Sequence, residues 1–344
     1  MTKILEFAKE LGVSKEQLKD KGIQQFLLQA LYRRQTKEWY QFFNGNGYCE
    51  INKKNGTLIT TVLTDEEFKP EFPLNIDCGI SMRCQNFCEF CYLGCSPKGK
   101  EANIRKYIED KNSWLYTLHP GTEIALNGNS PLHEDLGLLL EFLKDRDIIA
   151  NLTVRENTLY ENQGLLEKWL KEGLIHGIGI SPSTYSFEMI EFCKEHPSAV
   201  IHTIAGITTK EEYNLLKDKG LKILILGYKD CGRGLSYEEE YTQKIKQNIK
   251  DLKNELKDYT KHFKVVSFDN KALEQLDVKK LLTKKEWTRC FRGEEGNHTF
   301  YIDLVNETYA LNSMTPRQEQ KPLLNDVREM LKNTQNWENN KNGK

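Results

Sequence analysis

Apolar residues follow two rhythms along the chain, and the change between them comes near residue 73. Before it, Ile23, Phe26, Leu27, Ala30 and Leu31 recur at helical spacing behind Ser14-Lys-Glu-Gln17, which has the form of a capping box. Tyr48-Cys-Glu-Ile-Asn and Gly56-Thr-Leu-Ile-Thr-Thr-Val-Leu then flank Lys53-Lys-Asn-Gly56, and an Asn-Gly step between β-rich runs predicts a hairpin. Residues 1–72 are expected to form a helix-plus-hairpin cap, either packed on the main domain or serving as a recognition module.

From Pro73 onward, short β-rich runs alternate with amphipathic stretches. The predicted strands are Pro73–Asp77, Glu123–Leu126, Asn151–Val154, His176–Ile180, Val200–Ile204 and Leu221–Leu226. Leu165, Leu166, Trp169 and Leu170 mark one helical face between them. Strand and helix alternating at this interval predict right-handed βαβ units on a parallel sheet, so the fold class is α/β. A doubly wound open sheet and a partial barrel both satisfy the pattern, and both place functional loops at the C-terminal ends of the strands. This core spans 73–235. An α/β extension, 236–332, follows: a charged helix from Tyr237 to about Thr260 with Ile245, Ile249, Leu252 and Leu256 on one face, a strand at Phe263–Phe268, and a hairpin of Phe300–Val305 and Thr308–Leu311. The Asn-, Lys- and Gly-rich tail, 333–344, is expected to be disordered.

Composition narrows the function. The chain has 344 residues, 38% hydrophobic and 29% charged, which is enough for a large core without disulfides. Lys+Arg 49 against Asp+Glu 50 leaves net −1, so no strong nucleic-acid footprint is expected. No apolar run approaches the ~20 residues of a membrane span. The first ten residues interleave charge with apolar side chains, so a cytoplasmic location is expected. Nine cysteines are present, five of them between Cys78 and Cys95. In a cytoplasmic protein such a cluster points to metal or redox chemistry before a disulfide framework.

Cys84-Gln-Asn-Phe-Cys88-Glu-Phe-Cys91 lies just past the first predicted strand of the core. Three thiolates on one short loop can ligate three irons of a [4Fe–4S] cube and leave the fourth iron open to another molecule. Adding Cys95 gives a second possibility: a four-thiol set closed around a cube or a zinc ion, in a non-enzymatic metal-stabilised binding protein. Against closure, zinc sites favour paired C-x2-C halves, and a ferredoxin has no use for six following βα units.

The spacing C-x3-C-x-aromatic-C, with Phe90 in the aromatic position, together with the βα units behind it, resembles the radical S-adenosylmethionine (SAM) enzymes over about residues 73–230. The resemblance implies a partial (β/α)6 barrel, a [4Fe–4S] cluster on Cys84, Cys88 and Cys91, and SAM on the open iron. It implies reductive cleavage of SAM to a 5′-deoxyadenosyl radical that abstracts hydrogen from a substrate, and an electron donor such as flavodoxin or ferredoxin. Phe90 then stands beside the cofactor. Asn127-Gly128-Asn129-Ser130-Pro131 occupies the family's Gly-Gly-Glu-like turn at the methionyl amine, without the acidic third residue. Ser181 takes the place of a polar residue at the SAM ribose or carboxylate. His202-Thr-Ile204-Ala-Gly206-Ile207 resembles the family's G-x-I-x-G strand, with His202 for the first Gly, and Gly206 would back the adenine. Tyr228 falls where adenine-edge contacts are expected. With Gly232-Arg233-Gly234 and Ser267-Phe268-Asp269-Asn270, the pattern is similar to a group of radical SAM proteins without an assigned substrate.

Other residues carry two readings each. Cys78 and Cys95 are ordinary loop cysteines or substrate-facing thiols, and Cys231 lies near the expected mouth. Cys193 reads as helix packing. His133 and His202 are structural or near the site. Arg233 binds an anionic group or belongs to a turn, and Asp269 and Asn270 line the mouth or cap a turn. Tyr92 is catalytic or packs beside the cluster. The substrate is a peptide, a nucleotide or another small molecule. Ordinary polar methyl transfer is disfavoured, because cysteines replace a G-x-G-x-x-G loop after the first strand.

Overall fold

The computed structural model describes residues 5, 8, 9, 12–31, 39–52, 58–62, 67–291 and 293–337. Ser14 and Gln17 form the expected reciprocal cap, but it closes a 3-10 turn at Gln17–Lys19. Helix α1 (Lys21–Leu31) starts separately, with the Asp20 carboxylate accepting from the Ile23 amide at 3.0 Å. Three antiparallel strands follow in the order β1 (Trp39–Asn44), β2 (Gly47–Asn52), β3 (Leu58–Val62). Tyr48 opposes Thr61 and Ile51 opposes Leu58, as a hairpin requires; its turn, Lys53–Gly56, lies outside the described residues. The strand β1 is an addition to the sequence reading. Its two-residue turn to β2 uses Gly45 at φ +58, where a Cβ would sit 1.7 Å from the Lys69 carbonyl oxygen.

The main sheet has ten strands: β4 (Asn75–Gly79), β5 (Glu123–Gly128), β6 (Ile149–Arg155), β7 (Gly177–Ser181), β8 (Ala199–Ile204), β9 (Lys222–Leu226), β10 (Val265–Phe268), β11 (Thr299–Asp303), β12 (Thr308–Ala310) and β13 (Lys321–Pro322). Their order is β10-β9-β8-β7-β6-β5-β4-β11-β12-β13, parallel from β10 to β11 and antiparallel at the last two joins. The six strands read from the sequence thus lie side by side in chain order, without the reversal that defines a doubly wound sheet. The fold is α/β with a large, mostly parallel sheet. The strands β10 and β11, expected in a separate extension, flank the six in the same sheet.

Helices α2 (Ile104–Glu109), α3 (Leu136–Lys144), α4 (Glu156–Glu172), α5 (Phe187–Glu195), α6 (Lys210–Leu216) and α7 (Arg233–Tyr259) follow β4 to β9 in turn. One face of the sheet is their core. Ile76, Ile124, Leu152, Ile178, Ile180, Ile201, Ile223 and Ile225 are at most 1% exposed and cluster with Leu140, Leu159, Leu166, Met189 and Leu256. Leu166 and Trp169 bury the expected face of α4, whereas Leu165 is 40% exposed. On β4 to β6 the alternate residues are mostly polar, Asn75, Asp77, Glu123, Asn127, Asn151, Thr153 and Arg155, and β8 adds His202, whereas Val200, Ile204, Leu224 and Leu226 keep β8 and β9 apolar on this face too. A parallel sheet covered on both faces reads as continuous apolar runs, so this alternation marks a second face of different character.

That polar face is concave. On a flat sheet β9 and β4 would stand about 24 Å apart, at ~4.8 Å per strand. Yet Lys229, just past β9, lies 4.2 Å over the ring of Tyr92 from the loop after β4 and 3.5 Å from Ser313 beyond β12. The remaining helices are α8 (Asn270–Gln275), α9 (Lys284–Cys290) and α10 (Val327–Gln335). Helix α10 runs past Asn333 and Trp337 is buried, which corrects the expectation of disorder from 333; residues 338–344 lie outside the described residues.

The three-stranded sheet packs against the N-terminal ends of the main strands. Phe42, Cys49 and Ile51 cluster with Phe72, Leu74 and Ile149, and Phe72 stacks on His119 at 3.8 Å. The three-stranded sheet is thus packed on the main domain. No helix among the described residues is long and apolar enough to cross a membrane.

Candidate metal and cofactor site

Beyond Gly79 the chain folds back on itself over the C-terminal rim of the concave face. The Met82 amide donates to the Lys100 carbonyl at 2.8 Å and the Cys84 amide to the Ser96 carbonyl at 2.9 Å, closing the cysteine segment into a compact loop. Cys84 and Cys95 are buried, and Cys88 and Cys91 are half-buried. Two arginines hold this loop. Arg155, the last residue of β6, donates from Nη1 to Cys88 Sγ and from Nη2 to Ser183 Oγ, each at 2.8 Å. Arg233, the first residue of α7, donates from Nε to the Cys88 carbonyl at 2.9 Å and from Nη1 to the Cys95 carbonyl at 2.7 Å. Its backbone amide reaches the Cys91 carbonyl at 3.0 Å. Its Nη2 is buried with no hydrogen-bond partner. Gly232, at φ +57, permits this approach: a Cβ there would lie 2.3 Å from the Tyr92 carbonyl oxygen.

The thiols are electrostatically unequal. The hydrogen bond from Cys95 outweighs burial at Cys91, and Arg233 adds to it, so Cys91 is lowered to about 6. Cys95, its partner, is pushed far up. Burial raises Cys88, against the opposing charge of Arg155. Cys231 is raised by burial and lies within the electrostatic reach of Lys229 and Cys91. Among the described residues, no three His, Cys, Asp or Glu side chains converge to hold a single ion.

The remaining sequence-derived positions divide into two groups. Phe90 sits on the loop with its ring edge-on to Tyr237 of α7 at 5.9 Å. Asn127 spends its side chain on the chain leaving β4, accepting from the Ile80 amide and donating to the Ser81 carbonyl, both at 2.7 Å. Asn129 donates to the same carbonyl at 2.8 Å. Gly128 makes room for β6, since its Cβ would stand 2.6 Å from Val154 Cγ1. Ser181 closes β7 beside Arg155 in register. Of these five, Phe90 belongs to the cysteine loop and Asn129 reaches Cys95 Sγ at 3.7 Å, while Ser181 neighbours Arg155, which bonds Cys88. Gly206 and Tyr228 instead meet α7: a Cβ on Gly206 would lie 2.8 Å from Ile245, and the Tyr228 hydroxyl donates to the Gly234 carbonyl.

His133 is structural, with Nε2 donating to the Ala102 carbonyl at 2.8 Å and Nδ1 accepting from the Asp135 amide at 3.0 Å. Asp269 accepts from the Gly227 and Ala272 amides, both at 2.8 Å, as turn chemistry predicts. Cys78 and Cys193 are packed in the core on the helical side.

Sequence reasoning passed over the interior of the concave face. Glu123 accepts from Asn151 Nδ2 at 2.6 Å, and burial raises its carboxyl. Burial likewise raises Asp77, with the charge of Lys229 opposing. Burial lowers Lys229, but Tyr92, Asp269, Asp77 and Glu295 outweigh it and keep the amine charged. The ring of His202 lies against Gly179, whose Cβ would come within 2.3 Å of Cε1; burial and then Lys229 lower this histidine to about 4. The overlooked signal was the polar–apolar alternation in Asn75-Ile-Asp77-Cys78 and Asn151-Leu-Thr-Val-Arg155. Compared with protein-family models and with curated proteins, the sequence matches none.

Proposed function

We propose that the chain is a radical SAM enzyme of the cytoplasm, its curled sheet forming a partial (β/α)6 barrel and its electron arriving from a flavodoxin or ferredoxin. The observation that carries this reading is the C-x3-C-x2-C loop, set after the first of six consecutive parallel strands and held by Arg155 and Arg233 over a polar concave face. The donor set fits a cube: three thiols on one loop, one of them lowered to about 6, with two guanidinium groups as counter-charge and the buried Nη2 of Arg233 without a partner. A cube spreads its ligands over separate irons, so it does not need the convergence that a single zinc ion does. Cys84, Cys88 and Cys91 would hold the cluster, and Phe90, Asn127, Gly128, Asn129 and Ser181 would line the SAM position beside it. When bound, the cluster and SAM supply one-electron cleavage to a 5′-deoxyadenosyl radical. Arg155 ties the cluster loop to the loop after β7, and Arg233 fixes the same loop to α7.

Anaerobic reconstitution with iron and sulfide, followed by dithionite and SAM, should yield 5′-deoxyadenosine from the wild type and none from Cys88→Ala. An iron cluster that neither perturbs its EPR signal with SAM nor cleaves SAM would overturn the reading. The contact between the Cys95 and Cys91 thiols favours a second reading, a site closed by four cysteines. Cys95→Ala separates them: a closed site loses its metal, whereas an open cluster retains its iron.

A further inference from the structure

We propose that the concave lumen beneath the cysteine loop binds a small substrate bearing a positively charged amine or guanidinium, with Asp77 and Glu123 as its counter-charges. The inference rests on the enzyme reading for the word substrate, but its observations are independent of iron.

Asp77 and Glu123 lie on the inner face of the neighbouring strands β4 and β5, one pleat apart in register. Asp77 is exposed on β4 and Glu123 partly so on β5, with neighbouring side chains crowded around both. Among the described residues, neither carboxylate has a Lys, Arg or His nitrogen within 4.0 Å. Glu123 meets only the side-chain amides of Asn151 and Asn75. A third carboxyl group, Glu295, is bonded to Asn312. Against these acids, the one buried cation they share is Lys229, whose amine is engaged by the Tyr92 ring and Ser313. His202 is neutral at physiological pH. Burial raises Asp77, Glu123 and Glu295 toward their neutral forms, so a bound cation is what would hold them ionised.

Its hydrogen-bonding balance points the same way. Asn151 gives its N–H to Glu123 and leaves Oδ1 buried with no partner, and His202 Nδ1 is buried with no partner on β8. Carboxylates and an amide oxygen are acceptors, so they call for a ligand rich in N–H groups. An ammonium or guanidinium has donors and no acceptor. Arg155 and Arg233 stand at the rim beside the cysteine loop, so an anionic group belongs above and a cationic one below. Lys229 repels a cation from its own side and directs it toward Glu123 and Asn151.

The test is calorimetric titration of the full-length, iron-free protein at neutral pH and fixed ionic strength. The probes are putrescine, its diol analogue and succinate, which match in length and differ in charge. Saturable binding of putrescine is expected, with the diol at least tenfold weaker and succinate without measurable heat. Glu123→Gln and Asp77→Asn should each weaken putrescine tenfold or more, while Glu172→Gln, on the outer end of α4, leaves it unchanged. Putrescine binding equal to the diol, binding indifferent to both lumen variants, or no saturable heat would overturn the proposal. If Asp77→Asn fails to fold, Glu123→Gln decides alone. Failure here with 5′-deoxyadenosine formation intact removes only the substrate class. Binding intact in a protein that never cleaves SAM removes only the enzyme reading.

Discussion

Arg155 couples two loops through one planar group, donating to a thiol with one nitrogen and to a serine with the other. Lysine offers a point charge and no fork, so Arg155→Lys should keep one contact at most. A lost charge-assisted bond is worth about 1.5–3 kcal/mol, and urea unfolding of the variant should show a loss of that order. Iron bound per chain after reconstitution should fall with it. The next residue, Glu156, organises the same loop. Burial works against its charge, but the Ser186 hydroxyl and the amides of Thr184, Ser183 and Ser186 hold its carboxyl down to about 2. A depressed carboxylate stabilises the fold above its unfolded pKa near 4.5 and loses that contribution as pH falls toward 2. Allowing for partial solvent screening, the contribution is about 2 kcal/mol. Glu156→Gln should therefore be less stable than wild type by about that amount at pH ~6, and the gap should narrow by pH ~3. Chemical denaturation at the two pH values checks both size and sign.

Among the elements, α7 is anchored by its first two turns. Gly232 passes beneath the cysteine loop at φ +57 with no space for a Cβ, so Gly232→Ala must lift the helix start or the loop. A melting temperature lowered by several degrees and a reduced iron content are the expected outcome; unchanged values for both would refute the coupling. The long helix and the six strands were legible in the sequence because each buries a regular apolar stripe. The first turn of α7 was not, since Arg233 and Gly234 are fixed by the distant loop rather than by periodicity. The strand β1 escaped notice although Asn44-Gly45-Asn46-Gly47 carries the strongest turn chemistry nearby. Cys84, Cys88 and Cys91 could be read as one group because their spacing is local. Gly206 and Tyr228 share the strand-end positions expected of cofactor contacts, but in the fold they face a helix, and which face of a strand end meets a later helix depends on packing that spacing does not encode.

At the scale of the whole molecule, the three-stranded sheet and the cysteine loop occupy opposite ends of the strands. The N-terminal sheet closes the bottom through Phe42, Phe72 and His119, while the cysteine loop lies across the top. Phe72→Ala should cost about 3–5 kcal/mol in unfolding free energy, the usual loss for a buried aromatic. The same variant should bind a full complement of iron at low temperature, where it remains folded. Iron lost in proportion to stability would mean that the two ends are coupled.

The sheet also has two free ends, β10 and β13, which share no backbone ladder. Among the described residues the gap between them is crossed by side chains, Lys229 to Ser313 and Asn270 to the Gly293 carbonyl. A closed barrel has one circumference, fixed by its strand number and register. A curled sheet with two unpaired edges has none. Its girth is set by a few side-chain bonds rather than by a ladder, and parting them leaves every strand with its neighbours.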